Sequence, residues 1–428
     1  MTATTPPSGS RLTTRWRVVT VLGLVVAAAL AHYGYGNRHN LLDLRIYTDA
    51  VRWWTGGRDL YDYGRPDPVM GSLGFTYPPF AAVVLAPLAW MPFNLVIAIY
   101  VTISGLSLVL VTYLVTAPLA DRFSQPRWYV LGLALPLVSW LEPVRETFTF
   151  GQINVILVLL VVADLLVAVP RASRLAGVGI GLAAAIKLTP AIFIGYLLIT
   201  RRWRPGLTAI ATAVGATGLA AAVNWHGSWR FWTSELWDAR RVGHLEHIPN
   251  QSLLGALARF AAPAPPNRLV WAVLVLVVLG FGLWRARRAA LRGNELAGLT
   301  LAAFTGALVC PITWTHHLIW FIPALVLLID AAADRAGTPA RRRGLGGLAV
   351  AVYLTVTVSV IQWYDWEFVD SRYNHGVVGF LIDNSYILLM LVLLVVLPVD
   401  SSTRRVLPDR DLEGDRVLVE LRGTQRHP

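Results

Sequence analysis

Apolar stretches recur along most of the chain: Trp16 to Tyr35, Phe93 to Leu119, Ile153 to Val169, Leu207 to Asn224, Leu269 to Trp284, Leu296 to Val309, Leu318 to Ile329, Gly344 to Ile361 and Val377 to Pro398. Shorter runs fill Pro79 to Pro92, Trp128 to Trp140 and Ala176 to Thr200. A helix crossing a bilayer needs roughly 20 residues, so this pattern predicts an all-α, polytopic membrane protein of about 10 to 13 transmembrane helices. The polar remainder divides the chain into a cytoplasmic N-terminal tail over 1–15, a membrane domain over 16–398 with a polar outer loop over 37–78, and a cytoplasmic polar tail over 399–428. That tail is too short for a core of its own. The first run comes after Arg11, Arg15 and Arg17 and contains Ala27-Ala28-Ala29, as a cleaved signal peptide would. The chain beyond it is itself that of a membrane protein, which favours a retained helix.

Composition adds that lipid, not water, faces much of the surface. Of 428 residues 55% are hydrophobic and 14% charged, with a mean hydropathy of +0.55, more apolar surface than one water-facing core can hide. The net charge of +12 is carried by arginine, Lys187 being the single lysine. Clusters at Arg201-Arg202-Trp203-Arg204, Arg285 to Arg292, Arg341-Arg342-Arg343 and Arg404-Arg405 border apolar runs, where basic charge marks the cytoplasmic side. Both termini are then cytoplasmic, the loops after Tyr35, Asn224 and Ile361 face outside, and the number of spans is even. Two basic loops, Arg122 to Arg127 and Arg171 to Arg174, fall on the external side in this threading, unless half-length helices near Leu188 to Pro190 intervene. No soluble stretch is long enough to gather the charge into a nucleic-acid surface. The lone Cys310 excludes an intramolecular disulfide and a cysteine-rich metal site.

Chemistry is expected where polar residues gather. In the outer loop, Asp43 reads as the N-cap of an amphipathic helix running to Thr55, with Leu42 and Tyr47 as a hydrophobic staple and Gly56-Gly57 as the stop. Leu44, Tyr47, Val51 and Trp54 share a face that suits the membrane surface. A cap and a catalytic base are equally good readings of Asp43; a carboxylate at the outer border can take a proton from an attacking hydroxyl. Asp49, Asp59, Asp62 and Asp67 share the loop, and Asp59 is the best substitute base. Gly74 to Phe80 carries Pro78-Pro79, which rigidify entry to the next segment. Tyr77 beside them suits either an interfacial belt or a sugar.

Inside the apolar runs, Lys187 lies in Ala183 to Pro190, where an ammonium costs at least about 2.5 kcal/mol. It either snorkels or faces a lipid phosphate. Glu142-Pro143-Val144-Arg145-Glu146-Thr147-Phe148, followed by Gly151-Gln152-Ile153-Asn154, crowds charges and amides at a border. There Glu–Arg pairing between helices and substrate binding by Arg145, Glu146, Gln152 and Asn154 remain open alternatives. In Trp314-Thr315-His316-His317 adjacent histidines point apart, which disfavours a two-histidine metal site and suits a hydrogen bond to a phosphate or hydroxyl. Asn250-Gln251-Ser252 reads as a solvated loop or a sugar contact.

Taken in order, these strings resemble the actinobacterial polyprenyl-phosphate-mannose-dependent α-(1→2)-mannosyltransferases, of GT-C type. The matching stretches are Asp43 to Tyr47, Phe75 to Ala81, Glu142 to Phe148, Gly151 to Asn154, Ile186 to Pro190, Asn250 to Ser252 and Trp314 to His317. The resemblance implies an enzyme that moves mannose from a lipid-phosphate donor to the 2-hydroxyl of a mannosyl glycolipid at the outer face of the cytoplasmic membrane. The acceptor would be a phosphatidylinositol mannoside, lipomannan or lipoarabinomannan. It also implies Asp43 as the base, an inverting displacement, and Lys187 with an arginine or histidine on the departing phosphate. No cofactor or resident metal is expected, no glycine-rich nucleotide loop being present, and the partners are membrane lipids, donor and acceptor, with the chain a monomer. The residues alone leave a transporter or lipid flippase as the alternative, with a structural scaffold third.

Overall fold

The computed structural model describes residues 8–68, 71–362 and 376–400. Residues 1–7, most of the loop after Ile361 that was expected to face outside, and the tail beyond 400 lie outside the described residues. The first long helix, α1 (Ser8–Tyr35), is followed by α2 (Leu42–Thr55) and a small antiparallel hairpin, β1 (Gly64–Asp67) and β2 (Gly71–Gly74). Then come α3 (Pro79–Leu85), α4 (Phe93–Arg122), α5 (Arg127–Ser139), α6 (Glu142–Phe150) and α7 (Asn154–Ala163). The middle of the chain forms α8 (Val178–Ile186), α9 (Ile192–Ile199), α10 (Trp203–Val223), α11 (Trp225–Thr233) and α12 (Leu253–Ala261). The remainder forms α13 (Arg268–Leu291), α14 (Glu295–Val309), α15 (Phe321–Ala332), α16 (Pro339–Thr357), α17 (Gly376–Asp383) and α18 (Ser385–Val396). The protein is all-α and polytopic, as the apolar pattern predicts.

Five helical segments are long and apolar enough to cross a bilayer, in α1, α4, α10, α13 and α16, and α17 with α18 makes a sixth bent by 65°. Other apolar helices of 10–17 residues, among them α5, α14 and α15, are shorter than the roughly 20 residues of a full crossing. They and the nine-residue α8 pack against the long helices: α14 on α13, α15 on α16, α5 and α7 on α4, and α8 on α10. Their inner ends stop at broken turns, and these breaks build the functional site.

The same geometry removes the conflict over the basic loops. Arg17 of α1 donates to Gln125 at 2.9 Å, and Arg122 pairs with Asp330 and Asp334, just ahead of the Arg341 cluster. Gly177 abuts Pro205 beside the Arg201 to Arg204 cluster. Both loops therefore lie at the basic end, where Arg292 also meets Asp400 at 2.5 Å. The threading fails because Pro79 to Pro92 is no span: α3 and the turn after it stay against α2, whose Arg52 donates to the carbonyls of Ala89 (3.2 Å) and Met91 (2.8 Å). Two prolines and a further proline at 87 prevent a long helix there.

Candidate active site

Helix α2 brings Asp43 to the wall of a cavity of about 780 Å³ at the non-basic end of the bundle. Asp43 is not the cap the local pattern suggests: Leu41 is the N-cap, in the left-handed region (φ 54°), and no side chain caps the helix. The carboxylate instead accepts from Gln152 Nε2 at 2.6 Å. Gln152 reaches it because α6 ends at Gly151 with φ 80°, where a Cβ would lie 2.5 Å from that of Leu44 on α2. Gly151→Ala is therefore expected to cost at least about 1–2 kcal/mol and to pull amide and carboxylate apart. Thermal unfolding in detergent, read beside transfer activity, checks this.

Lys187 stands where α8 stops. Its backbone is extended (φ −147°, ψ 129°) ahead of Pro190, so the span is broken and the ammonium turns inward. Nζ bonds Asn154 Oδ1 and His317 Nε2, both at 2.8 Å, and Tyr77 Oη at 3.4 Å, and the residue is 8% exposed. Snorkelling is excluded by that burial. Tyr77 joins the two halves: it donates to Gln152 Oε1 at 2.8 Å and lies 2.7 Å from the hydroxyl of Tyr47. A continuous polar chain thus runs from Asp43 through Gln152 and Tyr77 to Lys187 and His317. It begins in a carboxylate and ends in a cation.

Both histidines line the cavity, and His316 Nε2 and His317 Nδ1 are buried with no hydrogen-bond partner. Buried polar atoms left open in a cavity wall are what a ligand would satisfy. Apolar Leu42, Ile46, Leu188, Ile192, Val309 and Ile312 line the same cavity, so the space suits an amphiphile with a polar head. Burial pushes the Asp43 carboxyl up to about 6, against the Gln152 bond and the nearby charges of Lys187 and His39, which pull it down. It is then largely ionised at neutral pH and still close to the ideal of a general base.

Other expected site residues lie elsewhere. Asn154 is behind Lys187, on a smaller cavity of about 50 Å³, with its amide donating to the His316 carbonyl at 3.0 Å. Arg145 pairs with neither glutamate; its guanidinium holds the Thr357 carbonyl (2.8 Å) and Ser359 Oγ (2.6 Å) and lies over Tyr35 and Trp140. Glu142 is taken by Tyr386 and Gln362, and Glu146 by Tyr35 and His39. The expected Glu–Arg lock is absent among the described residues because helix breaks offer the arginine bare carbonyls. Asn250 and Gln251 are neither solvated nor on the cavity wall: both are fully buried, Asn250 clasping Leu245 O and Thr313 N, Gln251 clasping Ile248 O and Asp383 O. Asp59 caps the turn at Leu60–Asp62 by accepting from Tyr61 N at 2.9 Å, pairs with Arg230 and His226, and is not on the cavity wall.

Sequence reasoning missed His39, Glu235 and Arg241, which also line the cavity, and preferred Asp59 to Asp67, which does line it. Arg241 is held by Glu235 and by the Phe75 carbonyl, both at 2.6 Å, the latter across 166 residues of chain. No local spacing signals such a residue. Among the described residues no group of three or more His, Cys, Asp or Glu gathers as metal ligands would.

Residues 75–311 match the model of glycosyltransferase family 87, more than half of the chain. The chain belongs to glycosyltransferase family 87. It is 35% identical over 82% of its length, and 84% of the relative, to a Mycolicibacterium smegmatis protein named polyprenol-phosphate-mannose-dependent alpha-(1-2)-phosphatidylinositol mannoside mannosyltransferase. The Mycobacterium tuberculosis protein of the same name is 32% identical over 95% of this chain and 96% of its own. A second M. smegmatis protein, named for phosphatidylinositol pentamannoside, is 34% identical over 81% of this chain and 83% of its own. No solved structure matches. As a multi-pass membrane glycosyltransferase of family 87, the protein is an enzyme, and the transporter or flippase alternative falls with that membership. The matched segment holds Tyr77, Gln152 and Lys187, while Asp43, His316 and His317 flank it.

Proposed function

We propose that this family 87 enzyme is an inverting mannosyltransferase that moves mannose from polyprenyl-phosphate-mannose to the 2-hydroxyl of a mannosyl acceptor on an envelope glycolipid. A phosphatidylinositol mannoside, lipomannan or lipoarabinomannan would gain an α-(1→2) linkage. The names of the relatives support the donor and the acceptor class. The observation that carries the reading is the single chain of hydrogen bonds linking a buried carboxylate to a buried ammonium within one cavity.

In this scheme the acceptor hydroxyl gives its proton to Asp43, and its oxygen bonds to the anomeric carbon of the donor. The bond from that carbon to the phosphate oxygen breaks, and the electron pair leaves on the lipid phosphate. Lys187 answers the phosphate charge, with His316 and His317 offering hydrogen bonds from their open nitrogens. Gln152 orients the carboxylate, and Tyr77 holds Gln152 and Lys187 at a fixed separation. Attack opposite the leaving phosphate turns a β-linked donor into an α-linked product. With the basic end in the cytoplasm, the cavity opens on the extracytoplasmic side of the cell membrane. No cofactor takes part, and the enzyme acts as a monomer.

Membranes containing the enzyme, given radiolabelled mannosyl phosphoprenol, are expected to yield a labelled mannolipid whose label is released by α-mannosidase. Label that resists α-mannosidase, or no labelled lipid at all, would overturn the assignment.

A further inference from the structure

Helix α14 ends at Val309 and α15 begins at Phe321, and the break between them carries His316 and His317. Backbone groups in such a break lack helical partners and must be answered from elsewhere. Here the answers come from two flanks. On one, Asn154 and Thr147 donate to the His316 carbonyl at 3.0 and 3.3 Å. On the other stands Asn250-Gln251-Ser252, a polar string with no place in the transfer scheme. Asn250 Oδ1 accepts from Thr313 N at 3.0 Å, Gln251 N donates to Thr313 O at 2.7 Å, and Ser252 Oγ donates to Pro311 O at 2.9 Å. Asn250 and Trp314 pair antiparallel, a single rung of sheet.

Asn250 is itself held from every side. It is fully buried, and its amide nitrogen donates to Leu245 O at 2.8 Å and Pro311 O at 3.3 Å. Both ends of the amide are thus occupied by backbone. Arg259 of α12, also buried, donates to the carbonyls of Asn250 and His247, both at 3.0 Å, and to Asn384 Oδ1 at 2.6 Å. Gln251 reaches the same bend between α17 and α18, donating to Asp383 O at 2.7 Å and accepting from Ile387 N at 3.3 Å. What this brace fixes is Thr313, three residues ahead of His316, and the turn that follows is closed by His317 N donating to Trp314 O at 2.9 Å. His317 Nε2 is thereby set 2.8 Å from Lys187 Nζ, and His316 Nε2 and His317 Nδ1 stay open in the cavity wall.

We propose that Asn250 is a positioning residue for mannose transfer: by joining the loop ahead of α12 to the break after α14, its amide sets the place from which His316 and His317 meet the donor phosphate. This rests on the reading of those histidines as phosphate partners. Asn250 is not on the cavity wall and acts through them.

The test is steady-state kinetics on folded enzyme, with donor and acceptor varied separately, in Asn250→Ala, in the His316→Ala, His317→Ala double variant and in the combination of all three. In Asn250→Ala, kcat/KM for the donor should fall by about 10²-fold, as a misplacement of about 1 Å can cause, with the acceptor KM unchanged. Without the two histidines the same substitution should cost less than about threefold, because nothing is left for it to place. Asn250→Asp keeps Oδ1 for Thr313 N and loses the two donated bonds; it should recover part of the donor kcat/KM, and it carries the comparison if the alanine variant does not fold. An equal fall with and without the histidines, no fall at all, or failure of both variants to fold would make Asn250 a structural clasp alone and overturn the proposal. The double histidine variant separates the two readings. If it uses the donor as well as wild type, the assignment of the phosphate partners fails; if it is impaired and Asn250→Ala lowers it further in full measure, only the positioning role fails.

Discussion

Asp43→Asn is expected to lower kcat for mannose transfer by about 10²- to 10⁴-fold, the range a positioned general base contributes. The amide is nearly isosteric, and its oxygen can still accept from Gln152, so what is lost is the capacity to take a proton. Stability should not fall. Burial raises the Asp43 carboxyl to about 6, so its ionised form is disfavoured in the folded state relative to the unfolded chain, and above pH 6 that charge costs stability. A neutral amide removes the cost. Unfolding in detergent should therefore begin no earlier than in wild type. The same raised value sets the pH dependence: wild-type kcat/KM should fall as pH drops through about 6, where Asp43 becomes protonated and can no longer accept. Turnover within a fewfold of wild type in Asp43→Asn would remove the residue as base. Asp59→Asn, which touches a cap and ion pairs outside the cavity, should leave the pH profile unchanged.

Lys187→Met should weaken use of the donor, with kcat/KM falling by about 10²- to 10³-fold, as when one preorganised donor to a developing anion is removed. Methionine matches the stem and leaves out the charge. Asn154 Oδ1 and His317 Nε2 each lose a partner, a cost of about 1–3 kcal/mol per buried group, offset by the removal of a buried ammonium. The net change in stability is small beside the change in rate. Lys187→Arg should not rescue, because a planar fork cannot occupy the position of a compact ammonium between Asn154, His317 and Tyr77. An unchanged donor KM together with unchanged kcat in Lys187→Met would return the residue to a purely structural role.

The two variants probe opposite ends of one hydrogen-bonded chain. Loss of the carboxylate should appear in kcat and in the acid limb. Loss of the ammonium should appear in donor KM and kcat with the acid limb still present. Gln152 and Tyr77 couple the ends, so double variants across the chain are expected to depart from additivity.

Part of this molecule is set by residue order alone. Apolar runs at helical length cannot be hidden from lipid by any fold, so an all-α membrane architecture is dictated by composition and period. The stop at Gly56 and the break at Lys187 and Pro190 are local backbone chemistry, legible at a distance of a few residues. Lys187 in an apolar run announces function because its burial costs so much anywhere in the chain. Asp43 stands out in the polar loop after the first helix, but its local pattern suits a helix cap as well as a base.

Tertiary structure decided the rest. Gln152 meets Asp43 across 109 residues, and His317 meets Lys187 across 130, and no local spacing encodes either approach. Asn250, Gln251 and Arg145 look like ligands for sugar or phosphate in a polar string, yet broken helices leave bare carbonyls and amides that these side chains satisfy first. The placing of the basic loops needed Pro79 to Pro92 to stay at the end of the bundle that holds α2, which depends on its packing against α2 and not on its hydropathy. His39 and Arg241 carry no signal beyond being polar, and only the closing of the cavity makes them neighbours of the chemistry. Period and hydrophobicity are properties of a segment; a site is a coincidence of segments in space, and it is settled by which buried polar groups find one another.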